Sequence, residues 1–342
     1  MPNLVRMGKR VSLKDIAAKV GVSTALVSYV INGLEKEKRV GPEIVKKIRE
    51  VARELNYKPN QIARSLRKGS TNTIGLIVAD IANPFFGQLA RIIEDEAARH
   101  HYTVIIGSSD ENCVKSAALI EALLDRQVDG FIIVPSEGCN ASIETLVQRE
   151  VPVVLVDRFL PDVNANYIVL DNFKATYEAV THFVAKGCER IAFVAYQSSL
   201  VHMQERIRGY RQAMKDHQLE EAIQVKELLY NHAKDFMDNG VSELLTGNQK
   251  PDALLFATNA LSISGLYAIK NHNIKVPEDM AVIGFDGNEV FDFFYSPLTY
   301  IEQPIDQMGK ESVRILMEQI KGNHQTVQIE LQHRLIQRQS CG

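Results

Sequence analysis

The stretch that decides the fold at the amino end reads SLKDIAAKVGVSTALVSYVING over residues 12–33. Its first apolar positions are Leu13, Ile16, Ala17 and Val20. This spacing places all four on one face of a short helix, for which Ser12 is a favourable N-cap. Gly21 is expected to end that helix, and Ser23 to cap a second helix that stops at Asn32 and Gly33. The apolar residues of the second helix are Leu26, Val27, Val30 and Ile31. The pattern predicts two short helices joined by a tight turn.

A third helix is predicted to begin near Pro42, which is a favourable first helical residue. Its buried side would consist of Ile44, Val45, Ile48, Val51, Ala52 and Leu55. The three apolar faces together can close a small core. We interpret the segment as a helix-turn-helix unit, in which the second helix lies in the major groove of DNA. A helical module for protein interaction is the alternative.

The charge of the chain is unevenly distributed along its 342 residues. The net charge is only −3, yet residues 1–70 hold 16 Lys and Arg against 6 Asp and Glu, a net charge of +10. The remainder holds 23 basic and 36 acidic residues and carries −13. Concentrated positive charge is typical of a protein that binds a polyanion, because neutralised phosphates release condensed counterions. A solvated basic tail is the alternative.

The segment YKPNQIARSLRKG at residues 57–69 predicts a further short helix, capped by Asn60 after Pro59. Its apolar residues are Ile62, Ala63 and Leu66, and its basic ones are Arg64, Arg67 and Lys68. A helix of this length is unstable unless something docks against it. An apolar wedge flanked by Arg is typical of an element that enters the minor groove and bends the duplex. A helical linker is the alternative.

These motifs resemble the headpiece and hinge of the lactose-repressor/galactose-repressor (LacI/GalR) family, over residues 12–17, 21–33 and 57–66. The resemblance implies that Thr24 and Ala25 read bases and that Leu66 intercalates. It also implies that Tyr29 replaces the Arg most often found at that position. The expected partner is double-stranded operator DNA. The residues expected at this interface are Ser12, Ser23, Thr24, Ala25, Ser28, Tyr29, Asn32, Lys38, Arg39, Asn60, Ala63, Leu66 and Arg67.

From Ile74 onward, short apolar runs alternate with helical patterns. The runs span residues 74–78, 104–106, 131–134, 153–156 and 167–170, and then 191–194, 253–256 and 281–285. Alternation of this kind predicts parallel α/β sheets, and its restart after residues 171–172 predicts two lobes. Asp157, Asp171 and Asp286 stand at or just past the ends of strands, where open α/β sheets bind ligands. A cleft between the lobes is therefore the default pocket.

The body resembles the periplasmic-binding-protein fold used by the same family. The predicted architecture is an all-α helix-turn-helix headpiece (1–58), a hinge helix and linker (59–72), and an α/β two-lobed periplasmic-binding-protein-like effector domain (73–342). The N-lobe is expected to comprise residues about 73–171 and 302–325, and the C-lobe residues about 172–301 and 326–338. The resemblance implies that the cleft closes on a small molecule.

The residues expected to bind this effector are Asp80, Asn83, Phe85, Arg158, Arg206, Asn259 and Asp286. Arg donors with Asp acceptors suit a sugar-like polyol, and Phe85 offers a stacking face. For each of them a capping or interlobe structural role is the alternative. Ala260 stands where the family usually has an Asp, with Asn259 as a possible replacement, so the effector is expected to differ from the family's commonest sugar type. His202 and His232 lie near the expected pocket loops.

The sequence contains no recognisable motif for catalysis or for cofactor binding. The phosphate-binding loop, the dinucleotide fingerprint and the His-Glu-x-x-His zinc motif are all absent. The four cysteines, Cys113, Cys139, Cys188 and Cys341, have no metal-ligand spacing. We therefore expect no enzymatic activity, no cofactor and no metal. The alternatives are a sugar-binding transport component with a basic leader and an enzyme that uses Asp286 or His232 as a base.

No apolar run approaches the roughly 18 residues of a membrane span, and the first residues do not resemble a signal peptide. A cytoplasmic protein with no membrane partner is expected. One helix-turn-helix unit reads too few base pairs, whereas a two-fold dimer presents two recognition helices one DNA turn apart. The expected function is thus that of a homodimeric repressor regulated by a small molecule.

Overall fold

A computed structural model describes residues 11–57, 69–230, 233–247 and 250–342, with side chains over 233–239 excepted. The chain divides into two compact units, one ending at Thr71 and the other beginning at Asn72. The hinge residues Asn60, Ala63, Leu66 and Arg67 lie outside the described residues, as does His232. The hinge helix therefore stays a prediction.

The headpiece has the three predicted helices: α1 (Leu13–Val20), α2 (Thr24–Ile31) and α3 (Pro42–Glu54). Helix α1 ends at Gly21, whose φ of 81° is a left-handed conformation that glycine adopts without steric cost. Ile16, Val27 and Ile48, one from each helix, are fully buried against one another. The predicted helix-turn-helix architecture is confirmed, because each helix contributes an apolar face to one small core.

The body contains two six-stranded sheets. Elements of the first lobe are β1 (Thr73–Val78), α4 (Pro84–Arg99), β2 (Thr103–Ser108), α5 (Cys113–Asp125), β3 (Gly130–Ile133), α6 (Asn140–Gln148), β4 (Val153–Val156) and β5 (Asn166–Leu170). The second lobe follows with α7 (Asn172–Ala185), β6 (Ile191–Tyr196), α8 (Val201–Asp216), a 3₁₀ turn (Glu220–Ala222), β7 (Gln224–Leu228), α9 (Ala233–Thr246), β8 (Ala253–Phe256), α10 (Asn259–Asn271), β9 (Ala281–Phe285) and α11 (Glu289–Phe293). The chain ends with β10 (Thr299–Glu302), α12 (Ile305–Ile320), β11 (Gln328–Leu331) and β12 (Arg334–Ile336).

The strand order is β11-β5-β4-β3-β1-β2 in the first sheet and β12-β10-β9-β8-β6-β7 in the second. All pairings are parallel except that of β10 with β12. Central strands such as β3, β4 and β8 are buried along their whole length because helices cover both faces of the sheet. The order in which successive strands are added to the sheet changes direction at β1 in the first sheet and at β6 in the second. In open α/β sheets, a ligand crevice lies at such a switch point, at the carboxyl ends of the strands.

The chain passes between the lobes three times: after β5, after β10 and after β11. Strand β11 pairs in parallel with β5 of the first sheet, so the last crossing lies between Leu331 and Arg334. The predicted assignment of residues from 326 to the C-lobe was therefore wrong for residues 328–331. Only two residues separate β11 of the first sheet from β12 of the second. The strand-like alternation in the sequence therefore continues through the crossing and does not reveal it. Of the described helices, none is long and apolar enough to span a membrane.

Candidate DNA interface and interlobe ligand site

The outward side of α2 is the candidate surface for reading bases. Thr24 and Ala25 are exposed at its amino end, whereas Ser28 and Tyr29 are half-buried. Asn32 ends the helix and donates from its side chain to the backbone oxygen of Ser28 at 2.7 Å. The exposed residues are small, so this face can approach a groove closely and contact a thymine methyl group or single hydrogen-bonding groups.

Ser12 and Ser23 act as N-caps, as predicted for their positions. Ser23 Oγ accepts a hydrogen bond from the backbone N–H of Leu26 at 3.2 Å. Ser12 forms a reciprocal capping box with Asp15: its hydroxyl accepts from the Asp15 N–H, and the Asp15 carboxylate accepts from the Ser12 N–H at 2.7 Å. Both serines are exposed at helix amino ends, where backbone N–H groups favour an anion such as a phosphate.

Lys38 and Arg39 lie in the loop that follows α2, and both are exposed. Lys38 Nζ lies 5.9 Å from the centre of the Tyr29 ring and 2.7 Å from Glu37. The hydrogen bond and the charge of Glu37 raise the pKa of Lys38, which keeps it cationic. The loop thus places exposed basic side chains next to α2, and that of Lys38 lies beside Tyr29.

The predicted effector residues at the end of β1 and the start of α4, in the first lobe, differ from one another in their surroundings. Asn83 caps α4 and accepts from the N–H of Phe85 at 3.1 Å, which is the capping alternative considered above. Phe85 is 5% exposed and packs edge-on against Phe86 within the apolar core of this lobe. Asp80 follows β1 and stays half-buried, with its carboxylate turned toward the second lobe. Of these three side chains, Asp80 is placed best to meet a ligand.

Arg158 follows β4 and is buried in a bidentate pair with Glu111, in which both N–O distances are 2.6 Å. Its Nε lies 3.4 Å from the carboxylate of Asp157. Burial favours loss of the guanidinium proton, yet the Glu111 and Asp157 carboxylates outweigh it and raise the pKa of Arg158. Arg158 is therefore a fixed cation at the end of β4, and its bidentate donors are already engaged.

Arg206 on α8 is 3% exposed and is held by three contacts within the second lobe. It donates to the side-chain oxygen of Asn172 at 2.7 Å and to the backbone oxygen of Ala257 at 2.5 Å. Its guanidinium carbon lies 3.7 Å from the centre of the Phe285 ring. Burial lowers the pKa of Arg206 to about 10, against the opposing effect of Asp286 and Asp157, so the group remains protonated at neutral pH.

Asp286 follows β9 as Asp157 follows β4, and these strands occupy corresponding places in the two sheets. Both residues have left-handed backbones, with φ of 59° and 68°, a conformation that non-glycine residues keep where the surroundings impose it. Gln303 donates to the Asp286 carboxylate at 2.9 Å, and the Asn259 side chain donates to the Asp286 backbone oxygen at 2.8 Å. Burial raises the pKa of Asp286 to about 7, although Arg206 and Gln303 act in the opposite direction.

The two lobes contact each other directly around this cluster. The Tyr230 hydroxyl donates to Asp80 at 3.2 Å, and the Ser199 N–H donates to the Glu137 carboxylate at 3.1 Å. Leu200, which follows Ser199, packs into an apolar cluster of the first lobe. Six further residues of this region were not predicted from the sequence: Glu111, Glu137, Asn172, Ser199, Tyr230 and Gln303. Five of them stand within three residues of the end of a strand and Glu137 stands four residues past the end of β3, a signal that a search of every strand end would have found.

Among the described residues, no three His, Cys, Asp or Glu side chains group as ligands for a metal ion. The cleft holds two buried guanidinium groups and several carboxylates. This combination offers hydrogen-bond donors and acceptors on both lobes, with one carboxyl, Asp286, balanced between its protonated and ionised forms at neutral pH.

Comparison with known proteins supports the assignment of both the headpiece and the two-lobed body. Residues 12–60 match the family model for bacterial regulatory proteins of the lacI family, and residues 180–341 match the model for a periplasmic binding protein-like domain. Catabolite control protein A of Priestia megaterium is 31% identical over 338 residues, which cover 96% of this chain and 99% of that protein. The HTH-type transcriptional repressor PurR of Aliivibrio fischeri (strain MJ11) is 32% identical over 336 residues, 96% of this chain and 98% of that protein.

Solved structures agree with the architecture. A lac repressor dimer bound to operator and the anti-inducer ONPF aligns with a TM-score of 0.84 and 24% identity, covering 97% of this chain and 99% of that chain. At that identity it supports the fold alone. A LacI family transcriptional regulator from Enterococcus faecium with bound ribose aligns with a TM-score of 0.71 and 26% identity, covering 78% of this chain and 98% of that chain. This chain therefore belongs to the LacI family of bacterial regulatory proteins, as a DNA-binding transcriptional regulator with a helix-turn-helix headpiece and a two-lobed periplasmic-binding-protein-like domain.

Proposed function

We propose that this protein is a homodimeric transcriptional repressor whose affinity for its operator is controlled by a sugar or sugar derivative bound between the two lobes. The observation that carries the proposal is the cluster of Arg206, Asp286 and Asp157, which joins buried donors and acceptors from both lobes. Sugar hydroxyls both donate and accept hydrogen bonds, so they match such a cluster. The named repressor relative and the ribose-bound relative support the same function.

Exposed apolar side chains support the homodimer. Among the described residues, the large apolar residues that are exposed are Ile81, Ile106 and Val114 in the first lobe and Leu229, Tyr267, Val290, Phe293 and Tyr295 in the second. Phe293 is 86% exposed, and exposed apolar residues that form a patch commonly mark an interface. The occupant we propose is a second copy of this chain, because a two-fold dimer supplies the two headpieces that a palindromic operator requires.

Control of operator affinity follows from the interlobe contacts. A ligand that binds one arrangement of the lobes better than another shifts the population toward it, and it changes DNA affinity by the same factor by which DNA changes ligand affinity. The sign of this coupling distinguishes an inducer from a corepressor. Thr24, Ala25, Tyr29 and Lys38 would carry the operator contacts of the headpiece, with Leu66 as the minor-groove wedge of the hinge.

A selection from random duplex DNA tests the proposal with the purified full-length protein, in the presence and absence of a pool of monosaccharides and disaccharides. We expect a pseudo-palindromic sequence to be enriched, and the enrichment to change when the pool is present. The matched control is the chain without residues 1–70, which removes the headpiece unit and should bind sugar but no DNA. Enrichment of no sequence in either condition would contradict operator recognition, and an unchanged enrichment would contradict control by a sugar.

A further inference from the structure

The last crossing between the lobes consists of two residues, Gln332 and His333. They lie between the end of β11 in the first sheet and the start of β12 in the second. Each of these strands is fixed by its neighbour, β11 by β5 and β12 by β10. A rotation of one lobe against the other is absorbed by changes of φ and ψ at a few connecting residues. Gln332 and His333 are therefore among the residues that change conformation when the lobes rotate.

Both crossing residues are attached to the same helix, α7 of the second lobe. The side-chain oxygen of Gln332 accepts a hydrogen bond from Lys174 Nζ at 2.9 Å. One turn further along α7, the Glu178 carboxylate lies 3.1 Å from Nε2 of His333. An ionised carboxylate only accepts hydrogen bonds, so Nε2 carries the hydrogen of the neutral ring. The ring of His333 is thereby fastened to α7 through one of its two nitrogens.

The other ring nitrogen of His333 is buried without a partner. The side chain is 3% exposed, and Nδ1 has no hydrogen-bond partner among the described residues. A proton on Nδ1 would create a charged donor that faces no acceptor, and an unsatisfied buried donor of this kind is costly. The present arrangement of the crossing therefore favours the neutral ring over the protonated one.

The charges around His333 act in both directions. Burial opposes protonation of the ring, and so does Lys174, whereas Glu178 on α7 and Asp171 at the first crossing favour it. Glu302 on the neighbouring strand β10 is engaged by an arginine of β12. Burial outweighs the two carboxylates, so the pKa of His333 lies below the ordinary value of 6.5. A ring that moves into water loses this effect of burial and binds its proton more readily.

We propose that His333 is a proton-sensitive clasp on the interlobe crossing: the neutral ring holds the present arrangement, and the protonated ring favours one in which Nδ1 meets water. Since the solvated ring takes up a proton at higher pH than the buried ring, acid shifts the population away from the present arrangement. The lobes enclose the proposed effector site, so the same proton is coupled to operator affinity. Only this last step rests on the proposed function.

Hydrogen exchange read by mass spectrometry tests the clasp in the full-length protein, without DNA or sugar. Peptides over residues 328–336 report opening of the crossing, after correction for the pH dependence of chemical exchange. Protection of this segment should fall about threefold or more between about pH 7.5 and about pH 5.5. His333→Gln retains a neutral N–H donor that does not titrate, so its protection should change by less than about twofold. Equal pH dependence in both proteins, or none in the unsubstituted one, would overturn the proposal.

Two further variants complete the test. Glu178→Gln removes the acceptor charge at a half-exposed position where an amide is tolerated, and the crossing should exchange about twofold faster already at about pH 7.5. His324→Gln is the matched control, since this histidine is exposed between α12 and β11, and it should behave like the unsubstituted protein. Far-UV circular dichroism checks folding. If His333→Gln did not fold, unchanged exchange in Glu178→Gln would overturn the clasp. Because neither DNA nor sugar is present, failure of the proposed function would leave these results standing.

Discussion

The Tyr230 hydroxyl of the second lobe donates a hydrogen bond to the Asp80 carboxylate of the first lobe, across 3.2 Å. This contact joins the chain after β7 to the chain after β1, at the carboxyl ends of strands that belong to different sheets. Burial raises the pKa of Tyr230, and the Asp80 charge adds to that effect, so the hydroxyl keeps its proton. Among the described residues, this bond is one of the polar contacts that join the two lobes.

Tyr230→Phe is expected to loosen the contact between the lobes, because it removes the hydroxyl and keeps the ring packed against Tyr196. A single hydrogen bond to a charged group contributes about 1.5–3 kcal/mol, which is comparable to the energies that separate two lobe arrangements. Small-angle X-ray scattering should show a larger radius of gyration for the variant. The matched control is Tyr177→Phe, which removes a hydroxyl bonded to Asp216 within one lobe. Equal behaviour of the two variants would argue against an interlobe role for Tyr230.

Glu111→Gln is expected to destabilise the body by about 3 kcal/mol, because the amide cannot balance the charge of buried Arg158 and presents an N–H₂ group to its donors. Urea unfolding, read from the body, measures the loss. Glu311→Gln serves as control, since Glu311 pairs with the exposed Arg314 at 2.7 Å. That pair is solvated, so its loss should cost less than about 1 kcal/mol. A similar cost for both substitutions would contradict the special role of the buried pair.

Arg206→Ala is expected to abolish sugar binding and to leave operator binding in place, because Arg206 lies in the second lobe and the headpiece is a separate unit. Calorimetry with the sugar found by the selection, alongside an operator titration, separates the two effects. The control is Arg208→Ala, two positions further along on the exposed side of the same helix. Unchanged sugar affinity in the Arg206 variant, with its fold intact, would show that the site has been assigned to the wrong residues.

Asp286 predicts a pH dependence of stability. Burial raises its pKa from the ordinary 3.8 to about 7, so the folded protein holds a proton that the unfolded chain has released. The stability contributed by this group is present below about pH 4 and is lost as the pH rises toward 7. Asp286→Asn should reduce the decline and make the body more stable than the unsubstituted protein above pH 7, by up to about 4 kcal/mol. Unfolding free energies measured from pH 4 to about 8 test this, and parallel curves for the two proteins would contradict it.

Ser12→Ala is expected to destabilise the headpiece by about 1 kcal/mol, because it removes the acceptor of the capping box at α1. Headpiece unfolding, followed by hydrogen exchange in the full-length protein, reports the change, and the stability of the body should stay the same. Ser12→Asp keeps an acceptor oxygen at this position and should retain most of the stability. If both variants lost the same amount, the effect would come from something other than the cap.

The helices of the headpiece and the parallel strands of the body were predictable from the sequence. A helix signal lies within a few residues, as in the cap and apolar spacing of Ser12 and Ile16, and a strand covered on both faces is one apolar run, as in β4. Prediction was weaker within the candidate site. Phe85 was expected as a stacking face, yet it lies in the core, because the sequence does not state which neighbour covers a ring.

By itself, then, the sequence determined the elements, the two sheets and the family, since these depend on local patterns. Tertiary structure alone decided the pairing of Arg158 with Glu111, 47 positions apart, and the contact of Tyr230 with Asp80, 150 positions apart. It also decided that β11 joins the first sheet. The physical reason is that residues distant in the chain meet only where the ends of different strands come together in the folded protein. Composition and periodicity do not indicate which strand ends become neighbours.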